Sequence, residues 1–529
     1  MSAAARQRAV PLKRRNHTTP ITLGRLLEGI APSRFDGSFE TLITAVAYDS
    51  REAQPGGLFV AMRGEKTDGN RFIFDAIERG AVVIASEHPR PSWPRDNVVC
   101  VTDIIPPREV PRDVQWLHVS DARKTLATAA ANYYGNPGRS VKVAGITGTN
   151  GKTTATYLLD SILRAAGHST GMLGTIAYRT PAGERAATNT TPESLDLQKF
   201  LAEVRDAGGT HLTMEVSSHA LAMDRVWATP FAVAVFTNLT RDHLDYHKTF
   251  DAYFAAKRRL FQGTGCGSPS AAVVNNDDEY GRRLEHLAAR VLTYGLERGA
   301  AITAEQLELR FSGLEFTART PAGPLRVHSR LAGRINVYNI LAAIGAAVAL
   351  GVPLQAIEQG IRAQESVPGR FQSIAAGQPY LVIVDYAHTD DALRNLIETA
   401  RGINAAGRII TLFGCGGDRD RSKRPLMGEI AGRMSQHVVV TSDNPRSEAP
   451  QRIIEDILEG LKKTTTPYEV EPDRARAIGL ALDAAKKGDI VLLAGKGHET
   501  YQVLGDRTID FDDREVAAEK LRERGFRGK

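Results

Sequence analysis

The sequence has few cysteines and no long apolar run. Among its 529 residues only Cys100, Cys266 and Cys415 are cysteines, and their spacing fits neither a CxxC pair nor a zinc or disulfide pattern. Such sparse cysteine usage is typical of a reducing compartment. No stretch approaches the roughly 18 apolar residues that a membrane-spanning helix requires. We therefore expect a cytoplasmic protein with no disulfide, no zinc site and no membrane segment.

Aromatic residues and net charge are also low. Aromatics make up 6% of the chain and the formal net charge is +6. Nucleic-acid binding requires a clustered basic face or stacking aromatics, and the sequence shows neither. The small positive excess suits anionic small substrates, although a basic N-terminal arm and a mixed surface account for it equally well. We expect small-molecule partners, no nucleic acid, and a monomer.

The length exceeds what one hydrophobic core supports, so several domains are expected. Residues 1–20 are basic and are not followed by the apolar stretch of a secretory signal, which predicts a disordered arm. Residues 21–121 carry short strands and turns. Residues 122–364 and 365–529 alternate strand-like runs with amphipathic helices, and Val367-Pro368-Gly369-Arg370 resembles a linker between them. This alternation predicts an α/β fold with mostly parallel sheets.

Polar motifs follow the strand-like runs repeatedly. In the last segment, strands are predicted at 381–384, 408–413, 437–442 and 489–494. Motifs that directly follow such runs are Ser217-Ser218-His219, Thr237-Asn238, Asp385-Tyr386-Ala387-His388, the stretch 414–419, Asp443-Asn444-Pro445-Arg446 and the stretch 495–499. Ligands of open parallel sheets bind beyond the carboxyl ends of the strands. Six such coincidences predict a binding site shared between two sheets.

A phosphate-binding loop is the strongest single motif. The apolar run Val141–Thr147 is followed by Gly148-Thr149-Asn150-Gly151-Lys152-Thr153-Thr154 and then by a helix with one apolar stripe. Glycines allow backbone N–H groups to approach phosphates, and the helix N-terminus adds partial positive charge. Lys152 would neutralise the β- and γ-phosphates and Thr153 would offer its hydroxyl to Mg²⁺. Ile146 stands where the strict Walker spacing has glycine.

Candidate metal and transfer residues lie in the same segment. Glu215 ends a strand, where it could hold Mg²⁺ or bond to nearby backbone. The stretch 238–247 concentrates Asp and His side chains, which favours a site, although a structural hydrogen-bond network stays open. Lys257 lies on a predicted helix, Asp251–Phe261, and its pattern alone favours a solvated lysine. The chain has no GxSxG elbow and no HExxH helix, so we expect ATP to supply the chemistry.

Taken together, the motifs resemble those of the Mur ligase family, most closely its diaminopimelate-adding branch. The match runs from about Ile21 to the C-terminal helix, and the family loop shares the shortened glycine pattern around Ile146. The motifs that carry the resemblance are GITGTNGKTT (145–154), NTTPES (189–194), MEVSSHAL (214–221), TNLTRDHLDYH (237–247), DYAHTDDAL (385–393), FGCGGDRDRSKRP (413–425), DNPR (443–446) and GKGHE (495–499).

The resemblance implies three domains: a UDP-substrate-binding domain (21–121), a central ATPase (122–364) and a C-terminal dinucleotide-fold-like domain that binds the amino acid (365–529). It implies that ATP phosphorylates the carboxylate of UDP-N-acetylmuramoyl-L-alanyl-D-glutamate. The amine of meso-diaminopimelate then attacks the acyl phosphate, and the tetrahedral intermediate expels phosphate. ATP and Mg²⁺ are the cofactors that this activity implies.

The resemblance also assigns individual residues. Lys152, Glu215, His243 and Lys257 are implied to be catalytic, and Thr153, Glu215, His243 and a carbamylated Lys257 to serve the magnesium site. ATP contacts are assigned to Gly148, Thr149, Asn150, Gly151, Lys152, Thr153, Thr154, Asn336, Asn339, Arg370 and Asp385. Contacts to the nucleotide-peptide are assigned to Ser50, Glu65, Lys66, Thr67, Asn189, Thr190, Thr191, Ser217 and Arg225. Contacts to the amino acid are assigned to Arg419, Asp443, Asn444, Pro445, Arg446, Gly495 and Glu499.

Arg446 decides which amino acid is expected. Diaminopimelate differs from lysine by a second carboxylate, which a planar guanidinium can bind in bidentate geometry. Glu499 suits the distal ammonium. A lysine-adding Mur ligase and folylpolyglutamate synthase are rival ligases, although the latter lacks a leading domain of this kind. A regulatory P-loop ATPase is the rival from another class, and it would leave DNPR and GKGHE without a purpose.

Overall fold

The computed structural model describes residues 19–64, 67–91, 104–105, 108–297, 299–310, 313–404 and 406–527. Most of the predicted arm (1–20), Glu65, Lys66 and Cys100 therefore lie outside the described residues. The chain divides into two compact units. One comprises Met1–Gly145, His168–Ala232 and Arg259–Ser270, and the other comprises Ile146–Gly167, Val233–Arg258 and Ala271–Lys529.

The N-terminal segment of the first unit forms a mixed sheet. Its elements are β1 (Ile21–Thr22), α1 (Leu23–Leu26), β2 (Arg34–Asp36), β3 (Leu42–Ile43), β4 (Ala45–Ala47), β5 (Gly57–Ala61), α2 (Ile73–Glu78), β6 (Ala81–Ser86), β7 (Gln115–His118) and α3 (Ala122–Tyr133). The strand order is β2-β7-β6-β5-β4, parallel except for β2. Strand β5 is buried on both faces, as a continuous apolar run in a covered parallel sheet should be.

The central segment alternates strands and helices. Its elements are β8 (Lys142–Thr147), α4 (Lys152–Ala165), β9 (Thr170–Leu173), β10 (Ala177–Thr180), β11 (Gly183–Ala186), α5 (Ser194–Asp206), β12 (His211–Glu215), α6 (Ser218–Ala222), β13 (Phe231–Phe236), α7 (Leu244–His247), α8 (Phe250–Gln262), β14 (Ala271–Asn275), α9 (Glu279–Arg282), β15 (Val291–Tyr294), β16 (Thr303–Arg310), β17 (Gly313–Thr320), β18 (Gly323–Ser329), α10 (Arg334–Ala349) and α11 (Leu354–Ala363).

Parallel pairing dominates these central strands. In the first unit, β9 pairs in parallel with β12, and the hairpin β10–β11 continues antiparallel from β9. In the second unit, β13, β14 and β15 pair in parallel. The division between the units passes through β8, between Gly145 and Ile146. The predicted α/β class with mostly parallel strands is confirmed.

The C-terminal segment lies wholly in the second unit. Its elements are β19 (Gln372–Ser373), β20 (Leu381–Asp385), α12 (Asp390–Ile403), β21 (Ile409–Phe413), α13 (Lys423–Met434), β22 (His437–Val440), α14 (Pro450–Leu461), β23 (Tyr468–Val470), α15 (Arg474–Asp483), β24 (Ile490–Ala494), β25 (Tyr501–Leu504), β26 (Arg507–Asp510) and α16 (Asp513–Glu523). The sheet order is β19-β20-β24-β21-β22-β23, parallel except for β19. Separate apolar clusters cover its two faces. All four strands predicted from the sequence are present, with ends shifted by at most two residues.

No helix in the described ranges is both long and apolar enough to cross a membrane.

A fully buried ion pair holds α15 to α16 and the sheet. Arg474 Nε and Nη2 donate to the Asp513 carboxylate at 2.7 Å each, and both side chains are inaccessible to solvent. The same guanidinium donates to the carbonyls of Ser442 and Ala494, which lie just beyond β22 and at the end of β24. One cation therefore fixes the strand ends that precede the DNPR and GKGHE motifs.

Replacing Arg474 with methionine should lower the free energy of unfolding of this unit by about 3–5 kcal/mol, because Asp513 would remain buried without a partner. Urea denaturation followed by circular dichroism measures the change. Arg476→Met on the exposed face of the same helix is the control, and it should leave the midpoint unchanged. Equal midpoints for the two variants would contradict a structural role for the pair.

Candidate active site

The predicted phosphate loop joins β8 to α4. Gly148 and Gly151 both have positive φ, at 149° and 86°. The backbone N–H of Asn150 donates to Asn238 Oδ1 at 2.9 Å, and the Thr237 hydroxyl donates to the Asn150 carbonyl at 2.6 Å. The residues that follow β13 therefore hold the loop in shape. The first two residues of the TNLTRDHLDYH motif, Thr237 and Asn238, thus support the loop directly.

A substitution at Gly148 tests whether the shape of this loop matters for ATP binding. A Cβ at this position would overlap the Thr237 hydroxyl, and the φ angle is one that other residues rarely adopt. Gly148→Ala should raise the KM for ATP about 5- to 150-fold, since the substitution introduces about 1–3 kcal/mol of strain into the loop. The matched control is Gly167→Ala, just beyond the C-terminal end of α4. The φ angle of Gly167 is also positive, but a Cβ added there would have no neighbouring atom within 4 Å. Steady-state kinetics measure the KM for ATP of both variants. Similar values for the two would contradict the prediction.

Two lysine amines converge on one loop carbonyl. Lys152 Nζ donates to the Gly148 carbonyl at 2.9 Å and to the Thr149 carbonyl at 2.8 Å. Lys257 Nζ donates to the same Gly148 oxygen at 2.7 Å and lies 4.6 Å from the centroid of the Tyr253 ring. Lys257 is 1% exposed, so the solvated lysine that its sequence pattern favours is wrong. Burial, with the nearby positive charge of Lys152, sets the pKa of Lys257 well below its ordinary value, against a smaller opposing effect of Asp242.

Helix α8 buries Lys257 because of its apolar neighbours. Tyr253, Phe254, Leu260 and Phe261 are all buried, as the sequence predicts. Lys257 stands one turn beyond Tyr253 and so falls on the same face of the helix. Because burial disfavours the ammonium form, this position favours the neutral, nucleophilic amine over the cation. It is thus chemically suited to react with carbon dioxide.

The proposed ATP contacts of the second unit lie around the same loop. Arg370 Nη2 donates to Thr153 Oγ1 at 3.1 Å. Asn339 Nδ2 donates to Asn336 Oδ1 at 3.0 Å, and the Asn339 carboxamide lies so close to Gly151 that a Cβ there would overlap it. The structure therefore brings Thr153, Asn336, Asn339 and Arg370 to one loop.

Asp385 fixes the backbone that carries Arg370. Its carboxylate accepts from the Phe371 N–H at 2.6 Å and from the Ala387 N–H at 2.8 Å. Burial raises the pKa of Asp385, which the Arg370 charge partly opposes. The Arg370 guanidinium lies 4.7 Å from the centroid of the Tyr386 ring, a cation–π contact. In this arrangement Asp385 orients Arg370 through backbone hydrogen bonds.

Asp242 and His243 follow Thr237 and Asn238, the residues that hold the phosphate loop, in sequence. His243 Nε2 lies 3.3 Å from Asp242 Oδ2, and the His243 backbone is left-handed with φ of 53°. Within the described ranges, no three His, Cys, Asp or Glu side chains form a ready metal site. An oxygen-bearing carbamate on Lys257 would be an additional ligand of the kind that Mg²⁺ prefers.

Glu215 belongs to the first unit. Its carboxylate accepts from the Thr175 N–H at 2.8 Å and from the Thr175 hydroxyl at 3.2 Å, and it is 1% exposed. The sequence left open a metal ligand or a backbone contact, and the backbone contact is present. These two donors hold the carboxylate in one orientation.

The proposed nucleotide-peptide contacts form one cluster in the first unit. The Thr191 hydroxyl donates to the Glu215 carbonyl at 2.9 Å and accepts from the Ser217 N–H at 3.1 Å. Arg225 Nη1 donates to the Thr191 carbonyl at 3.2 Å, and its Nε lies 3.4 Å from Glu193 Oε2. NTTPES and MEVSSHAL thus meet although they are about 25 residues apart in sequence.

The other residues assigned to the nucleotide-peptide are not hydrogen-bonded to this cluster as directly. The Thr190 hydroxyl lies 3.1 Å from the Thr175 hydroxyl, and the Asn189 backbone bonds to the Tyr178 phenol. Ser50 begins a 3₁₀ turn capped by Asp49. The Thr67 carbonyl accepts from the Gly64 N–H. Within the described ranges, no hydrogen bond or ion pair joins Ser50 or Thr67 to the Thr191 cluster.

The proposed amino-acid site is assembled by the loops after β21, β22 and β24. Arg446 Nη1 donates to the Gly417 carbonyl at 2.7 Å, and the Gly417 N–H donates to the Asn444 carbonyl at 2.9 Å. Arg446 has a φ of 53°, a left-handed conformation that is uncommon for arginine. Pro445 packs its carbonyl so closely on Gly417 that no side chain fits there. The GCGGDRD and DNPR motifs therefore form one rigid surface.

Glu499 and Asp443 supply negative charge to this surface. Glu499 Oε2 accepts from Asn444 Nδ2 at 2.8 Å. A Cβ at Gly495 would lie 2.6 Å from Asp443 Oδ2, so this glycine makes room for the carboxylate. Burial raises the pKa of Glu499, and the nearby Asp443 raises it further. Arg419 lies on the same loop as Gly416, and its Nη1 donates to the Asp418 carbonyl.

Sequence reasoning did not single out the residues that hold these loops. Arg424 is fully buried and donates to Glu448, Asp456 and the Gly416 carbonyl. In the first unit, Arg123 donates to the Arg63 carbonyl at 2.7 Å and lies 3.5 Å from Glu193. Arg424 was within a quoted motif, whereas Arg123 lies on a helix whose pattern carries no such signal.

Three family models match successive parts of the chain. Residues 42–134 match the Mur ligase family catalytic domain, residues 146–347 the Mur ligase middle domain, and residues 369–497 the Mur ligase glutamate ligase domain. Their order agrees with the three-domain architecture that the motifs imply.

Curated relatives and solved structures agree with the family models. The chain is 51% identical to UDP-N-acetylmuramoyl-L-alanyl-D-glutamate–2,6-diaminopimelate ligase of Solibacter usitatus over 92% of this chain and 95% of the relative. It is 45% identical to the ligase of that name from Geobacter metallireducens, over 94% and 98% of the two chains. A solved structure of a ligase of that name covers 96% of this chain and 100% of its own, with 29% identity and a TM-score of 0.65. The chain belongs to the Mur ligase family.

Proposed function

We propose that the protein is an ATP-dependent ligase that adds meso-diaminopimelate to UDP-N-acetylmuramoyl-L-alanyl-D-glutamate. The observation that carries the proposal is the identity of 51%, over more than nine-tenths of the chain, to a ligase named for this reaction. The structure supports it through Arg446, which is fixed on the Gly417 carbonyl, while Asn444 joins Gly417 to Glu499 and so places a carboxylate in the same set of loops. Such a pairing of opposite charges suits an amino acid with both an ammonium and a carboxylate at its far end.

ATP is bound by the loop 148–154 and by residues of the same unit. Backbone N–H groups of the loop and the N-terminus of α4 face the phosphates. Lys152, whose amine now rests on the Gly148 and Thr149 carbonyls, moves to the β- and γ-phosphates. Asn336 and Asn339 serve the adenosine side, and Arg370, fixed by Asp385, completes the site.

Magnesium is the metal that suits the donors of this site. Thr153, His243 and carbamylated Lys257 are the residues of the second unit that would hold it. The metal would neutralise charge that develops on the transferred phosphoryl group. Carbamylation by carbon dioxide, with loss of a proton, would convert the Lys257 amine into an anionic oxygen donor that attracts the positive charge of Lys152.

The substrate carboxylate attacks the γ-phosphorus of ATP, and the bond to the bridging oxygen breaks, so that an acyl phosphate forms and ADP is released. The free amine of diaminopimelate then attacks that carbonyl carbon, and inorganic phosphate leaves. The protein contributes orientation and charge neutralisation, since the phosphate supplies the leaving group. Thr191, Ser217 and Arg225 position the muramoyl-peptide, and Ser50 with the loop 65–67 positions the uridine diphosphate. Arg419, Asp443, Asn444, Pro445, Arg446, Gly495 and Glu499 position the amino acid.

The proposed domains are 21–121, 122–364 and 365–529, preceded by a basic arm at 1–20, and the three matched models follow one another in the same order, at 42–134, 146–347 and 369–497. We place the reaction in the cytoplasm, where nucleotide-linked substrates and ATP occur together. The active form is a monomer that binds neither membrane nor nucleic acid.

An amino-acid panel tests the proposal. Purified protein is given ATP, Mg²⁺ and the muramoyl dipeptide substrate, and phosphate release is measured with meso-diaminopimelate, lysine, ornithine or no amino acid. Phosphate release that requires both the nucleotide-peptide and diaminopimelate is the expected result. Equal use of lysine would indicate a lysine-adding ligase, and phosphate release that ignores the peptide would indicate a regulatory ATPase.

A further inference from the structure

Lys496 is a buried cation to which the proposed reaction gives no role. Its side chain is inaccessible to solvent, although a lone lysine in such a place is costly. Its Nζ lies 3.0 Å from Glu499 Oε2 and 3.3 Å from Asn444 Oδ1. The ring centroid of Tyr501 lies 5.6 Å from the same amine. Lys496 therefore makes its polar contacts with two residues proposed to bind the amino acid.

The two carboxylate oxygens of Glu499 differ in their hydrogen bonds to these residues. Oε2 accepts from both Lys496 Nζ and Asn444 Nδ2, at 3.0 and 2.8 Å. Neither of these donors is hydrogen-bonded to Oε1. The Asn444 carboxamide is itself fixed, since its Oδ1 accepts from the Val503 N–H at 2.9 Å. The carboxylate is thus held in one orientation.

Charge neutralisation by Lys496 matters because Glu499 is not alone. Asp443 contributes negative charge nearby, and burial also disfavours a carboxylate. Both effects raise the pKa of Glu499, and the Lys496 ammonium opposes them. Hydrogen bonds from Lys496 and Asn444 act in the same direction. The lysine therefore favours the ionised form of Glu499.

We propose that Lys496 is a positioning residue for amino-acid selection, which orients Glu499 so that its Oε1 accepts the distal ammonium of the diamino acid. The proposal rests on the proposed function, because it assigns a role within the same amino-acid site. It goes beyond the Arg446 assignment, since Arg446 recognises the distal carboxylate and Lys496 acts on recognition of the distal ammonium. Lys496 itself touches neither substrate nor reacting atoms in this account.

The test compares Lys496→Met with the wild type on two substrates. Methionine fills a similar volume without charge. meso-Diaminopimelate carries the distal ammonium, whereas 2-aminopimelate keeps both carboxylates and one amine but lacks it. We expect the KM for diaminopimelate to rise about 10–100-fold, because a charge-assisted hydrogen bond is weakened. The KM for 2-aminopimelate and the KM for ATP should change by less than about threefold.

Several controls separate this role from a general structural one. Lys487→Met, at an exposed lysine before β24, should behave as the wild type. If Lys496→Met does not fold, Lys496→Gln, which retains a donor without a charge, answers the same question. Equal losses with both amino acids, unchanged KM values, or failure of both variants to fold would overturn the proposal. If the wild type does not use diaminopimelate at all, the proposed function fails instead.

Discussion

Replacing Lys257 with alanine is expected to abolish turnover, with a fall in kcat of at least about a thousandfold. The amine lies beside the phosphate loop, on the same carbonyl oxygen that accepts from Lys152. In the proposed active site this amine is carbamylated, and the carbamate would help to hold Mg²⁺. Without that anionic oxygen the metal would be held less well, and the negative charge that develops during phosphoryl transfer would be neutralised less. Such neutralisation by a metal ion stabilises the transition state by several kcal/mol.

Chemical rescue makes this result specific. Short carboxylic acids such as acetate or formate can occupy the space left in Lys257→Ala and restore an oxygen ligand, so we expect partial recovery that saturates with acid concentration. Arg258→Ala is the matched control, since this cation is the next residue of α8 and is exposed. It should keep wild-type kcat. Full activity of Lys257→Ala without added acid would exclude the carbamate role.

Replacing Arg446 with alanine is expected to lower kcat/KM for diaminopimelate by about 30- to 5000-fold. The estimate comes from the cost of about 2–5 kcal/mol when one partner of a buried charge pair is removed. The KM for ATP and for the nucleotide-peptide should stay within about threefold of the wild type, because the guanidinium lies on the Gly417 carbonyl in the amino-acid loops.

Selectivity is the decisive measurement for Arg446. The ratio of kcat/KM for diaminopimelate to that for lysine should fall toward one in Arg446→Ala. Arg446→Lys should recover little, since an ammonium does not reproduce the bidentate guanidinium geometry. Arg452→Ala, at an exposed arginine on α14, is the control. A wild-type ratio in Arg446→Ala would place carboxylate recognition elsewhere.

Much of the fold could be predicted from local sequence patterns. The continuous apolar runs of β20, β21, β22 and β24 identify buried parallel strands, and their ends differ from prediction by two residues or fewer. The glycine loop between β8 and α4 could also be predicted, because the conformations of Gly148 and Gly151 depend on local chemistry. Family membership followed from the motifs and is confirmed by the matched models.

The environments of single side chains could not be predicted in this way. Lys257 has the sequence context of a surface lysine, and its burial arises because α8 packs its aromatic face inward and brings the amine to Gly148. Lys496 lies in a quoted motif, yet its contact with Asn444 joins residues 52 positions apart. Arg474 pairs with Asp513 across 39 positions. Such contacts depend on tertiary packing, which periodicity does not record.

In the proposed reaction, the γ-phosphoryl group of ATP passes to the peptide carboxylate before the amine attacks. The most direct test uses UDP-N-acetylmuramoyl-L-alanyl-D-glutamate labelled with ¹⁸O in the reacting carboxylate, together with ATP and diaminopimelate, and measures the released phosphate by mass spectrometry. An acyl phosphate requires one ¹⁸O atom to appear in each phosphate released. Phosphate without ¹⁸O, formed at the same rate as the ligated product, would contradict it.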